Sequence, residues 1–595
     1  MRSLPEIAYR FRQELSDAYG YARPPEVDLD PNFGPRLKLP DPQAVARALE
    51  GTEFAADVIA LAGQIRAHRF PIFGMTLDTG PEIPWRRDHR SGVETDLRYF
   101  RRIPYLDARR SGDHKLIWEL NRHQHLVTLA QAFCLTEDAA NLAEIRAQLE
   151  SWSAANPYNR GINWASALEV ALRALSWIWA FHLTGDKMIA EFRVKWLREL
   201  YRHGCYIERN LSFYFSPNTH LLGEALALHA LGLFFAGLPR AARWEQLGAV
   251  VMREQMERQV RADGSHVEQS SYYHLYATDM FLLHAILAKP DREYMDKLAR
   301  MLDYLHALAG PSRMLPFLGD DDGGRLFHPY GDRSHFARAT IATGSVVLER
   351  ADWEWHVEDL HSQAVWWLGA TALDREPGSG MWGSRLFSDV GTAILTADAN
   401  QVIVDAGPFG PWSGGHSHAD TLSIVVRSGA GEILIDPGTF TYVGEQKWRD
   451  WFRGTEAHNT VRIDRRDQAV AAGPFRWNEH PQVSILSWKT NATRDLLEAE
   501  CRYRGFTHRR SVEFQKPDVI LIVDEIDGPP GEHEIEQLWH LGSLEARERL
   551  ELPEGAELVE SRRSIVFAEK HPAPMLRVFQ RGTLPMHLEA KIHLP

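Results

Sequence analysis

The period of the apolar positions changes once along the chain, near residue 374. From Lys115 to about Ala370 they recur every three to four residues, in runs of roughly 15 to 22 such as WELNRHQHLVTLAQAFCLT, WASALEVALRALSWIWAFHLT and HLLGEALALHALGLFFAG. That spacing predicts successive helices, punctuated by Gly, Pro and Asn. Helices in series without intervening strands bury their stripes against one another, so the expected architecture over residues 111–373 is an (α/α) toroid or bundle. Residues 1–110, rich in Pro and Arg, predict an irregular segment leading into it. DREPGSGMWGS, residues 374–384, breaks the helical pattern and predicts a linker. Beyond it short runs alternate or are wholly apolar: AILTA, QVIVDAG, TLSIVV, EILID, NTVRID, SVEFQ, VILIVDEI and SIVFAE. Over residues 385–595 they predict an antiparallel β-sandwich.

Within that second half, the stretch from Gly414 to Asn459 carries the densest chemistry. TLSIVV and EILID are expected to form a hairpin closed by Ser428 to Gly431, which brings His418 and Asp436 to the same end, while His458 opens the next strand. Two imidazoles and a carboxylate from separate segments suit a zinc-like ion. His416 would share a face with His418 in an extended segment and is then left for other chemistry. An H-x-H pair alone says little in a chain with 27 histidines. The Gly-rich approach, the hairpin and His458 together give the pair its weight.

A net charge of −13 opposes non-specific binding to nucleic acid or to an anionic membrane surface. Three widely spaced cysteines imply no disulfide framework. The first twenty residues lack an apolar signal-peptide core, and no run of apolar residues is long enough to span a bilayer, so the chain as it stands is expected to be cytoplasmic. Arg86, Arg87 and Arg90 form a local basic cluster, which reads either as a solvated loop or as a contact for an anionic polymer.

In the helical half, SPNTHLLGEALALHALG places Asn218, His220 and Glu224 at the start of a helix. Asn218 also suits an N-cap, and His220 with Glu224 a pair one turn apart. DGSHVEQSSYYH places Glu268, Tyr272, Tyr273 and His274 at the mouth of another helix. Glu119 with Arg122, and Glu169 with Arg173, have the spacing of helical ion pairs. Some of these residues, together with Trp164, are expected to line a cleft. Asp320 to Asp322 in LPFLGDDDGGR read as a turn that holds the toroid rim or its Arg partners.

The order of these motifs, WELNRHQHL, GINWASALEVALRA, SPNTHLLGEAL, DGSHVEQSSYYH, LPFLGDDDGGR, GGHSHADTLSIVV, LIDPGTFTY and WRDWFRGTEAHNTV, resembles the heparinase II/III family of polysaccharide lyases. The resemblance implies an N-terminal incomplete (α/α) toroid with a C-terminal antiparallel β-sandwich, a periplasmic setting, and β-elimination at a uronate in an anionic polysaccharide. A glycosaminoglycan such as heparan sulfate is the favoured substrate, with alginate or a bacterial exopolysaccharide as alternatives. It implies Tyr273 as base and acid, Asn218 and His220 as the pair that neutralises the uronate carboxylate, and His416 as the histidine supplied by the β-domain. Relatives often carry Asn-Asn-His where this chain has Asn218-Thr219-His220. The implied ligands of a structural zinc are again His418, Asp436 and His458. Expected substrate contacts are Arg86, Arg87, Arg90, Arg122, Trp164, Glu224 and Glu268. Two other classes compete. A toroid glycoside hydrolase would use paired carboxylates such as Glu224, Glu268 or Asp320. A non-catalytic glycan binder would have no need of the Tyr273, His220 and His416 set.

Overall fold

The computed structural model describes residues 3–595 apart from 31, 32, 36 and 38. Helices dominate up to residue 374, and the first strand of the C-terminal sheets, Arg385–Phe387, follows a segment without regular structure. The helix Thr219–Phe234 is apolar nearly all round and almost entirely buried. A helix of that kind sits inside a larger assembly. It packs between Ala167–Thr184 and Ala241–Gln259, and the series continues through Ser271–Ala288, Arg292–Ala309 and Ser334–Leu348.

The N-terminal segment is more regular than its composition predicts. It holds the helices Leu4–Ala22, Pro42–Ala48 and Glu53–Arg66 and a hairpin of Arg69–Ile72 with Met75–Asp78. Its prolines do not break these helices, because Pro5 and Pro42 stand in the first turn, where no intrahelical N–H is required.

The C-terminal half contains a five-stranded antiparallel sheet spanning residues 385–434, a six-stranded sheet and a four-stranded sheet. A bridge between Leu434 and Leu541 joins the five-stranded sheet to the four-stranded one. Ala393, Val404 and Val426, Val512 and Ile522, and Ile535 and Trp539 meet in one core between the layers. The expected hairpin is present as Ile424–Ser428 paired with Gly431–Leu434. SIVFAE forms no strand. It turns, and its Phe567 packs on Tyr442 and Phe73.

Two apolar clusters lock the halves together. Tyr304, Leu308 and Leu318 meet Phe387, Ile394 and Val425 on one side, and Leu116 meets Tyr442 and Phe567 on the other. Gly319 marks a close crossing between the halves. Its φ is 66°, and a Cβ there would stand 2.6 Å from the Gln269 carbonyl and 2.7 Å from that of His416. The next residue, Asp320, donates its N–H to the His416 carbonyl at 2.9 Å.

Candidate active site

A cavity of about 580 Å³ opens between the two halves. Asn218, His220, Glu268 and Tyr273 from the helical half and His416 and Tyr442 from the β-domain all line it. Local sequence explains the placement. Ser270 caps the helix Ser271–Ala288 by accepting the Tyr273 N–H at 3.1 Å, which fixes Tyr273 in the first turn. Asn218 caps Thr219–Phe234 by accepting the His220 N–H at 3.2 Å. Its amide donates to Glu268 Oε1 at 2.5 Å, so the N-cap and the cavity-facing role belong to the same side chain. Thr219 is fully buried, and its N–H reaches Glu268 Oε2 at 3.3 Å.

The Tyr273 ring stacks on His416 with centroids 3.9 Å apart. Its hydroxyl lies 3.1 Å from that of Tyr442 and 3.3 Å from Asp322 Oδ2. Burial, then the Asp322 carboxylate, then Tyr442 push the Tyr273 phenol well above its usual range. Burial, helped by the neighbouring His416 and Arg122, takes His220 down to about 4 against the pull of Glu169 and Asp322, so at neutral pH it is an uncharged hydrogen-bonding ring. Burial also opposes charging His416, but Asp320 and Glu268 outweigh it and raise its pKa. Its Nδ1 is 3.0 Å from Asp320 Oδ2 and its Nε2 is 3.5 Å from Glu268 Oε1.

Asp320 organises this wall. Besides His416, it pairs with His418 Nε2 at 3.0 Å and accepts two hydrogen bonds from Arg449. Burial would raise its carboxyl, yet Arg449 and the two histidines hold it well below the usual range. The acidic turn finds basic partners as expected: Asp321 pairs with Arg333 and Asp322 with Lys115, while Asp320 reaches across to the β-domain.

Behind the wall, one nitrogen or oxygen from each of His418, Asp420, Asp436 and His458 lies within 4.8 Å of the others, and all four residues are buried. His418 Nδ1 and His458 Nε2 have no hydrogen-bond partner. Burial and the neighbouring Asp420 raise the nearby Asp405 carboxyl well above its usual value. Orphaned imidazole nitrogens facing crowded carboxylates fit a divalent cation, and the Asp320 contact on the far nitrogen of His418 is the usual support for a metal-binding histidine. This is a possible metal-binding group. Asp420 was missing from the sequence-derived trio, although it lies two residues beyond His418, where an extended segment returns to the same face.

Other expected contacts fall elsewhere. Arg86 donates to the carbonyls of Thr95 and Ala155, Arg87 pairs with Glu94, and Arg90 donates to the Ala568 carbonyl at 3.1 Å. None of the three lines the cavity, so the basic cluster stitches loops together and does not form a polymer track there. Trp164 is buried, with its indole N–H on the Asn156 carbonyl. Glu224 is likewise enclosed and accepts from Ser212, not from His220. Arg122 does line the cavity, held by Glu119 and Glu169. The expected Glu169–Arg173 pair is therefore absent, and Arg173 instead meets His203 and the carbonyls of Asn121 and Asn163. Tyr442 and Arg449 had no assigned role, because their neighbours at the site are distant in sequence. Among the described residues no helix is long and apolar enough to cross a membrane.

The chain is 24% identical over 455 residues to the heparin-sulfate lyase of Bacteroides stercoris, a match that covers 70% of this chain and 62% of that protein. The chain thus spans less than two thirds of that relative's length. Among solved structures, heparinase III superposes with a TM-score of 0.67 at 16% identity, covering 99% of this chain and 89% of that one. The heparan sulfate lyase of Pedobacter heparinus gives 0.56 at 19% identity, covering 98% and 88%. At such identities the structural likeness speaks to the fold, a helical toroid followed by antiparallel sheets. Residues 46–325 match the Heparinase II/III N-terminus model and residues 380–578 the Heparinase II/III-like C-terminal model, and across both halves the chain belongs to the heparinase II/III-like family.

Proposed function

We propose that the protein is a polysaccharide lyase that cleaves a uronate-containing glycan, a glycosaminoglycan in the first instance, by β-elimination. The observation that carries the reading is the stack of Tyr273 on His416 in a cavity that Asn218 and His220 also line. The names of the similar lyases point the same way.

Elimination breaks the C5–H and C4–O4 bonds and forms the C4=C5 double bond, and the C5 proton is poorly acidic while the adjacent carboxylate keeps its charge. The second N–H of Asn218, an N–H of His220 and the His416 ring, whose charged form is favoured, would take up charge developing on that carboxylate. Tyr273 is held protonated by its surroundings, which suits coupled transfer. Its proton passes to O4 as the C5 proton arrives on the same oxygen, so the phenol is regenerated and no free phenolate is needed. Glu268 acts as a positioning residue by orienting Asn218.

The metal-binding group is assigned to zinc in a structural role. His418, Asp420, Asp436 and His458 would hold it, and what it supplies is a tie between the loop before one strand, the end of its hairpin and the segment after the short turn Thr455–Ala457.

Incubation with heparan sulfate, heparin, chondroitin sulfate, hyaluronan and alginate tests the reading. A lyase yields a product with a conjugated double bond and ultraviolet absorbance. New reducing ends without absorbance would mean hydrolysis instead.

A further inference from the structure

We infer that the outward face of the helix Leu4–Ala22 is a self-association surface, on which a second copy of this chain lays the same helix in parallel across a twofold axis.

The helix is built the wrong way round for a monomer. Leu4, Ile7, Phe11, Leu15 and Tyr19 recur every three or four residues, the spacing of one helical face, and each is between 51% and 82% exposed. Ala8, Ala18 and Ala22 fall between them on the same face and are exposed too. The side turned to the protein is held by polar contacts. The Tyr9 hydroxyl donates to the Leu211 carbonyl at 2.8 Å, and the Gln13 amide to Asn210 Oδ1 at 3.0 Å. The fully buried Asp17 pairs with Arg101 at 2.6 Å and accepts from the Asn210 amide at 3.0 Å. These partners fix which face looks outward, so the apolar stripe cannot roll inward without leaving the Asp17 carboxylate unpaired.

Area and charge say what covers the stripe. The five large side chains leave the equivalent of about three whole ones in water, roughly 600 Å², which is the upper end of what a monomer exposes in one patch. A stable dimer buries about 800 Å² on each partner, so with its alanines and bordering residues the stripe meets that need when it pairs with its own copy. Arg12 and Glu14 stand two residues apart, about 200° round the helix, and therefore on opposite edges of the stripe. Both are exposed, and among the described residues Arg12 has no ion-pair partner. A parallel twofold sets the Arg12 edge of each copy against the Glu14 edge of the other, so the pairing is complementary to itself in charge as well as in apolar surface. A membrane surface is a poorer match. Between Leu4 and Ala22 the acids Glu6, Glu14 and Asp17 outnumber the arginines Arg10 and Arg12, where a helix lying in a lipid interface carries an excess of cations. The opposite side of the same helix supplies Tyr9, Arg10 and Gln13 to the cavity wall, so this interface backs the rim of the active site.

Sedimentation velocity and light scattering of the whole chain, from about 0.1 to about 100 µM, test the pairing. Expected is a particle of twice the chain mass with a Kd at or below about 10 µM. Phe11→Glu/Leu15→Glu should weaken it at least about a hundredfold and leave the thermal transition unchanged, because both side chains are exposed. Arg12→Glu, which sets two acids against each other, should weaken it about tenfold, and Arg12→Glu/Glu14→Arg should recover the wild-type value to within about threefold. A monomer across the whole range, or a dimer that Phe11→Glu/Leu15→Glu leaves intact, would overturn the inference. So would an Arg12→Glu dimer as tight as wild type, or a reversed charge pair no tighter than Arg12→Glu. A monomer that floats with vesicles of neutral or anionic phospholipid would overturn it as well and give the stripe to a membrane. Should the stripe variant fail to fold, the Arg12 variants still decide, because they exchange charges on the exposed edges of the helix.

Discussion

Tyr273, in the first turn of a toroid helix, lies flat against His416 from the β-domain, with ring centroids 3.9 Å apart and planes inclined by 24°. Neither half of the chain can hold that pair alone. If the phenol carries both proton transfers, Tyr273→Phe removes them while keeping the stack and its volume. The expected result is a fall in kcat of at least about a hundredfold with an unchanged thermal transition. A variant that kept more than about a tenth of the wild-type rate would take Tyr273 out of the proton path.

Asn218 and Glu268 form the next testable unit. Asn218→Ala should lower kcat and kcat/KM together, by about a hundredfold, because the amide's contribution grows as charge develops on the substrate carboxylate. Glu268→Gln retains an oxygen that can accept from Asn218, so it should be milder than Glu268→Ala. Equal loss in the two would argue against a positioning role. Thr219→Ala should be nearly silent, since the Thr219 hydroxyl is buried away from the cavity and has no partner. A severe Thr219→Ala defect beside a normal Asn218→Ala would move the carboxylate contact by one residue.

For the metal-binding group the expected result is about one zinc per chain by elemental analysis. Chelation, or Asp420→Asn, should lower the unfolding temperature by at least about 5 °C, the shift that roughly 2 kcal/mol produces in a domain of this size. His418→Ala and His458→Ala should do the same. Loss of turnover on chelation with folding and substrate affinity intact, and recovery on re-addition, would instead place the ion in the reaction.

What the sequence made legible followed from local periodicity. The helix-to-strand change, the hairpin from Ile424 to Leu434 and the approach of His418, Asp436 and His458 all depend on residues close in the chain. What it hid depends on long-range partners. Arg86, Arg87 and Arg90 look like one patch, but they turn to Ala155, Glu94 and Ala568, so their charges do not sum in the cavity. Asp320 looks like a turn residue until the chain folds and brings Arg449, His416 and His418 to it. The helix Leu4–Ala22 was hidden differently. Its apolar residues Leu4, Phe11, Leu15 and Tyr19 are exposed, while the buried side carries Asp17, so its stripe does not mark a core face.

Glu224 was expected at the substrate and is instead a buried acid beneath the loop that carries Phe215. Its two oxygens accept from the Ser212 N–H at 2.7 Å and hydroxyl at 2.6 Å. Burial outweighs both hydrogen bonds and pushes its pKa from 4.5 up to about 8. The folded state therefore holds this proton more tightly than the unfolded chain does. The stabilising contribution is fully present below about pH 4.5 and is lost as pH rises through about 8, at no more than about 1.4 kcal/mol per pH unit. Glu224→Gln carries no charge at any pH and can still accept the Ser212 N–H. Unfolding temperatures of the two proteins should agree near pH 4.5 and diverge as pH rises, the variant standing several degrees higher above pH 8. Contributions from all other groups cancel in that difference. Parallel profiles across the range would show that Glu224 ionises at its ordinary pKa and that burial does not control it.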